Sequence, residues 1–316
     1  MLRRTVLAAA LLGVVAACAR PRSGDLRIMV PNAPGSGYDI TARTIATALD
    51  NSGIRRGVEV FNLPGGQGAV GLQRLVYERG NGTLMMLMGL GLVGAQLEAG
   101  LPEITPIARL ISEPEILVVT PDSPLRTIDD LVAAWQRDPD NTAVGGGSAR
   151  GGPDHLAPML IARAIGVEPK RVNYQQYDGG GALLAAILSR QVTFAVSSVG
   201  EWAGQIDKGQ LRVLAVTGDE RITGVRAPTL RQAGVDVVFA NWRGLVAPPG
   251  LSTHDSSALA DLTERLRGSA DWREAIAGHR WSDAYLAGPG FGSFLRGELT
   301  RVSQVLGDLG LGVPSN

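Results

Sequence analysis

Four short glycine-bearing stretches hold the residue types in this chain that could do chemistry: 34–38 (PGSGY), 64–68 (PGGQG), 145–152 (GGGSARGG) and 178–181 (DGGG). Each follows an apolar run of strand type and precedes a helical pattern. At such a junction the first helical N–H groups lack partners and lie at the positive end of the helix dipole. The junction is therefore suited to an anion. A single loop of this kind is an ordinary strand–loop–helix turn, with Asp39 as its N-cap. Four of them, divided between two domains, would bring several helix N-termini to one cleft. Each dipole adds roughly 0.3–1 kcal/mol toward an anion, and charge-assisted hydrogen bonds add more. A small carboxylate fits that chemistry.

Other chemistries fit the residues less well. Gly66–Gly71 spells GxGxxG, yet the strand that follows ends Met86-Leu87-Met88-Gly89, without the acidic residue a dinucleotide ribose needs. Gly146-Gly147-Ser148-Ala149-Arg150 misses the G-x-S-x-G elbow, because Arg150 replaces its last glycine. Ser148 and His155 are near in sequence, but a nucleophile–base pair needs spatial contact, and a helix-start histidine satisfied by backbone is the simpler reading. His254 and His279 fall in helical, exposed contexts. No His/Cys/Asp/Glu cluster has metal-ligand spacing, and no cofactor motif stands out. Arg150, in a loop, and Arg243, at a crossing between domains, suit either a ligand carboxylate or an ion pair. Trp242 suits interdomain packing, and Asp39 a cap and loop organiser.

The elements that must position these loops read as alternating strands and helices, an α/β pattern. Strands are expected at Ile28–Val30, Val58–Leu63, Leu84–Met88, Ile116–Thr120, Thr142–Gly146, Val172–Tyr177, Val192–Ser197, Leu211–Val216 and Phe239–Val246. Ala42, Ile45, Ala46 and Leu49 place one face of a helix behind the first loop. Thr127–Asp130 reads as a capping-box start. Pro158 weakens the helix expected over Asp154–Ile165. The C-terminal part reads as helical: Asp255–Leu266, Ala270–Gly278 and Phe291–Leu306.

The chain has 316 residues, 45% hydrophobic and 19% charged, enough for two domains with a sizeable core. Lys plus Arg and Asp plus Glu are 30 each, and Phe and Tyr number five each. Neither a basic excess nor a stacking platform points to nucleic acid. At the start, Arg3-Arg4, the apolar run Val6–Val15 and Ala16-Ala17-Cys18 read as a secretory signal too short to span a bilayer. Cys18, the only cysteine, cannot form an internal disulfide. Val15-Ala16-Ala17-Cys18 resembles a bacterial lipobox, with Cys18 as the lipidated residue, and residues 20–24 read as a tether.

The motifs together resemble the extracytoplasmic solute-binding proteins of tripartite tricarboxylate transporters. The likeness runs through Val30–Gly35 with Tyr38-Asp39 and Ala42-Arg43, Asn62–Gly68, Asp122–Pro124 with Thr127 and Asp129–Leu131, Gly145–Ser148 with Asp154–Leu156, Tyr177–Gly181, Leu211–Thr217, and Arg243-Gly244 with Ala247-Pro248. It implies a two-lobed, type II-like periplasmic-binding-protein fold that closes over a citrate-like di- or tricarboxylate. The lobes would be residues 25–122 with 242–316, and 123–241, after the signal and tether at 1–24. It implies ligand contacts at Gly35, Ser36, Gly37, Tyr38 and Asp39, and at Gly65, Gly66, Gln67 and Gly68. The other lobe would add Ser148, His155, Asp178, Gly179 and Gly180; Arg150, which is not a general feature of the family, joins them as a candidate from its place in the loop. The implied protein is a monomer, no enzyme, that serves a large and a small membrane subunit from a lipid anchor. A surface carboxylate sensor and an exported hydrolase using Ser148 and His155 are the alternatives.

Overall fold

A computed structural model describes residues 25–97 and 100–311. The signal segment and Cys18 lie outside the described residues. The strands are β1 (Arg27–Val30), β2 (Glu59–Asn62), β3 (Leu84–Gly89), β4 (Thr105–Val119), β5 (Val144–Gly146), β6 (Tyr174–Gln176), β7 (Phe194–Ser198), β8 (Arg212–Val216), β9 (Ala240–Ala247) and β10 (Ser282–Ala287). The helices are α1 (Gly37–Asn51), α2 (Ala69–Tyr77), α3 (Leu90–Ala95), α4 (Ile128–Arg137), α5 (Pro153–Ala164), α6 (Gly179–Leu188), α7 (Ala203–Asp207), α8 (Thr253–Gly268), α9 (Ala270–His279) and α10 (Gly288–Asp308).

Two sheets share one strand. The first runs β2-β1-β3-β9-β4, with β10 along the far side of β4; the second runs β6-β5-β7-β4-β8. The N-terminal part of β4, residues 105–114, pairs with β9, while residues 115–118 pair with β7 and 116–119 with β8. The sheets are built alike. β1 lies parallel between β2 and β3, and β5 lies parallel between β6 and β7. Beyond each parallel trio lies an antiparallel neighbour, β9 in the first sheet and β4 in the second. Loops at the carboxyl ends of the parallel strands thus gather where the lobes meet, the usual ligand crevice of open α/β sheets.

Local chemistry accounts for the elements. β3 reads LMMLMG and is buried throughout, as an inner strand covered on both faces must be. Ala42, Ile45 and Leu49 form the wholly buried stripe of α1. Thr127 and Asp130 close the expected capping box on α4. Pro158 is accommodated inside the buried helix α5. Three elements differ from the expectations. β4 starts eleven residues before Ile116 and passes Pro106 and Pro114, with a register shift just after Pro106. A proline cannot donate to a ladder, and the two prolines hid the strand. β10, within the expected helical stretch, and the short α3 after Gly89 were not expected.

Candidate ligand-binding site

A cavity of about 90 Å³ lies among these loop ends, well below the roughly 300 Å³ at which drug-sized pockets begin. The first lobe lines it with Ser36, Gly37, Tyr38 and Gln67, and the second with Ser148, Asp154, Gln176, Asp178, Gly179 and Gly180. Arg243 of β9 and Glu201, at the end of a short 3-10 turn after β7, complete its charged wall.

The loops before α1 and α5 use the same local device. Ser36 Oγ accepts the Asp39 N–H at 3.4 Å, and Asp39 Oδ2 accepts the Gly35 N–H at 2.9 Å. In the other lobe Ser148 Oγ accepts the Asp154 N–H at 3.0 Å, and Asp154 Oδ2 accepts the Gly147 N–H at 2.6 Å. Serine and aspartate thus tie each loop back onto its helix. Burial works against the charge on Asp39, but hydrogen bonds from Arg43, Gly35 and Asn62 outweigh it and hold the carboxyl below its ordinary range. Burial also dominates at Asp154. The Gly147 hydrogen bond and Arg243 offset it only in part, and Asp154 is pushed up to about 7.

Beneath the cavity, Arg243 is buried in a nest of carboxyls. Its Nη1 pairs with fully buried Glu113, and its Nη2 lies 3.5 Å from Glu201 and 3.3 Å from Ser198 Oγ. Ser198 donates in turn to Glu115 at 3.1 Å and accepts from Asn241 at 3.2 Å. Burial, then neighbouring like charges, pushes Glu115 well above its ordinary value. Burial likewise raises Glu201 to about 8, although Arg243 works the other way. Glu201 Oε1 also lies close against Gly37 at the start of α1.

The residues singled out in the sequence fall into three groups. Ser36, Gly37, Tyr38, Gln67, Ser148, Asp178, Gly179 and Gly180 line the cavity. Gly65, Gly66 and Gly68 line an adjoining recess with Gln67 and Asp178; Gly65, at φ 136°, holds a conformation that suits glycine. Gly35, Asp39, Arg150 and His155 stand behind these walls. Gly35 and Asp39 secure the loop, as described. Arg150 is exposed and its guanidinium bonds the Leu311 carbonyl. His155 accepts the Gly151 N–H at 3.4 Å and meets the Tyr174 ring edge-on. Burial, then nearby Arg150, pushes His155 down to about 4. With Ser148 Oγ holding Asp154 and His155 Nδ1 facing Gly151, both side chains are engaged in shaping the loop.

Several expectations are refined. His279 is half-buried, stacked on Trp281 and bonded to Thr44, rather than exposed. Arg243 takes the ion-pair role. Trp242 packs edge-on against Phe291 and Phe294 of α10 and donates to Glu298 at 2.8 Å. Among the described residues no group of three His, Cys, Asp or Glu side chains is placed to hold a metal ion, and no helix is long and apolar enough to cross a membrane. Sequence reasoning missed Glu201 and Asp154. Glu201 follows the strand-end segment Ser198–Gly200, a fifth loop at the same crevice. Asp154 repeats, in the second lobe, the partnership of Asp39 with a preceding loop serine.

Residues 96–280 match the family model described as the tripartite tricarboxylate transporter family receptor. BugT of Bordetella pertussis is 27% identical over 251 residues, which cover 74% of this chain and 76% of BugT. A protein of R. palustris solved with adipate superposes with a TM-score of 0.83 at 21% identity, covering 90% of this chain and 97% of that one. MatC from Rhodopseudomonas palustris, solved with bound malate, gives 0.76 at 20% identity, covering 89% and 98%. At these identities the structural likeness shows the fold, the two-lobed one of periplasmic binding proteins.

Proposed function

The chain belongs to the tripartite tricarboxylate transporter receptor family, and from that premise we propose that it captures a small carboxylate-bearing solute, of di- or tricarboxylate size, outside the cytoplasmic membrane. It then delivers the solute to the large and small membrane subunits of such a transporter. The observation that carries this reading is the cavity between two similarly built lobes, walled by a glycine loop and a helix N-terminus from each. Malate in MatC and adipate in the R. palustris protein are ligands of the proposed class. The contacts fall to Ser36–Tyr38 and Gln67 on one side and to Ser148 and Asp178–Gly180 on the other. Lobes divided at 122/123 and 241/242 would close over the solute, and lipid on Cys18 would keep the receptor at the membrane.

Titration calorimetry against a panel of small carboxylates, with analysis of the recovered ligand, tests the reading. The expected result is saturable one-to-one binding of at least one panel member, recovered unchanged. Turnover that disappears in Ser148→Ala would establish the hydrolase alternative instead.

A further inference from the structure

The wall of the cavity has an unexpected charge for a carboxylate receptor. Its ionisable residues include three carboxyls, Asp154, Asp178 and Glu201, against one guanidinium, Arg243. The terminal nitrogens of Arg243 are committed within the protein, while its buried Nε has no hydrogen-bond partner among the described residues. Nη1 is taken by Glu113 and Nη2 faces Glu201 and Ser198.

Glu201 occupies a telling place. Its carboxylate lies directly against Gly37 at the start of α1 and against Gly180 in the first turn of α6. A Cβ on Gly37 would overlap both Arg243 and Glu201, and a Cβ on Gly180 would overlap Glu201. Both positions are thus held open for the protein's own carboxylate. The convergence of two helix N-termini, which could hold an anion of the ligand, is already filled from within. What this point presents to a solute is a pair of acceptor oxygens, with the second carboxyl of Asp154 in the same wall.

We infer that Glu201 sets the specificity of the cleft, selecting solutes that carry a protonated amino group beside their carboxylate over di- and tricarboxylates without one. The inference rests on the carboxylate-receptor reading and narrows it. An ammonium gives Glu201 and Asp154 charge-assisted hydrogen bonds. A second ligand carboxylate at the same place meets like charge in a desolvated wall and must bring a proton with it. The ligand's carboxylate falls to the donors of the Ser36 and Ser148 loops and to the side-chain amides of Asn32, Gln67 and Gln176 in the same wall.

The electrostatics of the wall point the same way. Burial, then mutual repulsion among the acids, raises Glu201 to about 8 and Asp154 to about 7. The charged groups that act on Glu201 are Arg243 of β9, Glu113 and Glu115 of β4 and Asp154 of α5; Tyr38 of α1 and His279 of α9 face the same Arg243. Burial pushes Tyr38 up to about 12, which keeps it neutral, and pushes His279 below its ordinary value, so it carries no compensating positive charge above neutral pH. An ammonium takes the place of protons on Glu201 and Asp154, and its binding strengthens as pH rises through 7 to 8.

Matched pairs test this: succinate against aspartate, and glutarate against glutamate, titrated calorimetrically into the full chain and into Glu201→Gln. The expected result is at least about tenfold tighter binding of an amino member by the wild type, a gap of 1.4 kcal/mol, falling to about threefold or less in the variant. A second readout needs no variant: affinity for the amino member should rise severalfold between pH 6 and 8.5. Equal or tighter binding of the amine-free member overturns the inference and leaves the receptor reading standing. A preference retained in Glu201→Gln, or a flat pH profile, overturns the role of Glu201. Binding of neither member of either pair overturns the inference, and failure of the wider carboxylate panel as well overturns the receptor reading.

Discussion

Asp39 and Asp154 occupy matching places in the two lobes. Each sits in the first turn of a helix that follows a parallel strand, each has its N–H bonded to a loop serine, and each accepts a glycine N–H from the loop. Their surroundings differ in one respect. Asp39 has Arg43, half-exposed and able to reach both carboxylate oxygens, together with the amide of Asn62. Asp154 shares one buried guanidinium, Arg243, with Glu113, Glu115 and Glu201. The first carboxyl is held ionised and serves as loop architecture; the second is pushed up to about 7 and faces the ligand cavity. The same backbone device becomes scaffold or site according to the cation its carboxyl can reach.

The largest expected effect comes from removing the shared cation. Arg243→Met leaves Glu113 buried without its partner and should cost about 3–5 kcal/mol of stability, read by urea denaturation at pH 7.5. A loss below about 1 kcal/mol would mean that these carboxyls are already neutral in the native protein.

Next in size are the two aspartates, where the signs should oppose. Asp39 has a lowered folded pKa, so its contribution is present above its unfolded value near 4 and lost as pH falls through the folded value. Asp39→Asn should therefore destabilise by roughly 1–3 kcal/mol at pH 7, with the difference closing below pH 4. Asp154 has a raised folded pKa, so its favourable contribution is fully present below pH 4 and lost as pH rises toward 7. Asp154→Asn keeps an acceptor for the Gly147 N–H and should melt above the wild type at pH 8 and level with it near pH 4. Melting curves of both variants across pH 4–8 check the pair, and equal signs at pH 8 would erase the distinction between them.

Arg150→Ala should have the smallest effect. Its exposed bond to the Leu311 carbonyl belongs with surface contacts worth about 0–1 kcal/mol, and ligand affinity in calorimetry should stay within about twofold.

The strand–loop–helix alternation was readable because each glycine loop is flanked by apolar runs of distinct period, and residues 36–38 and 178–180 of two such loops line the cavity. The charged floor was not readable. Glu113 and Glu115 lie in a strand interrupted by Pro106 and Pro114, so the local pattern gave no reason to expect a strand there. Glu201 and Arg243 are 42 residues apart in the chain and meet only because β4 carries both sheets. Spacing along a chain reports which loops can face a crevice; which charges neutralise one another there is a matter of tertiary contact.

The central claim is that the solute sits between the lobes on these loops, and hydrogen exchange read by mass spectrometry addresses it directly. The full chain is compared with and without a carboxylate that binds in calorimetry. The account predicts slowed exchange in 34–39, 64–68, 147–154 and 178–181 together, both lobes responding to one ligand. Slowing confined to one lobe, or centred instead on the separate surface recess lined by Arg43, Thr44 and His279, would contradict it.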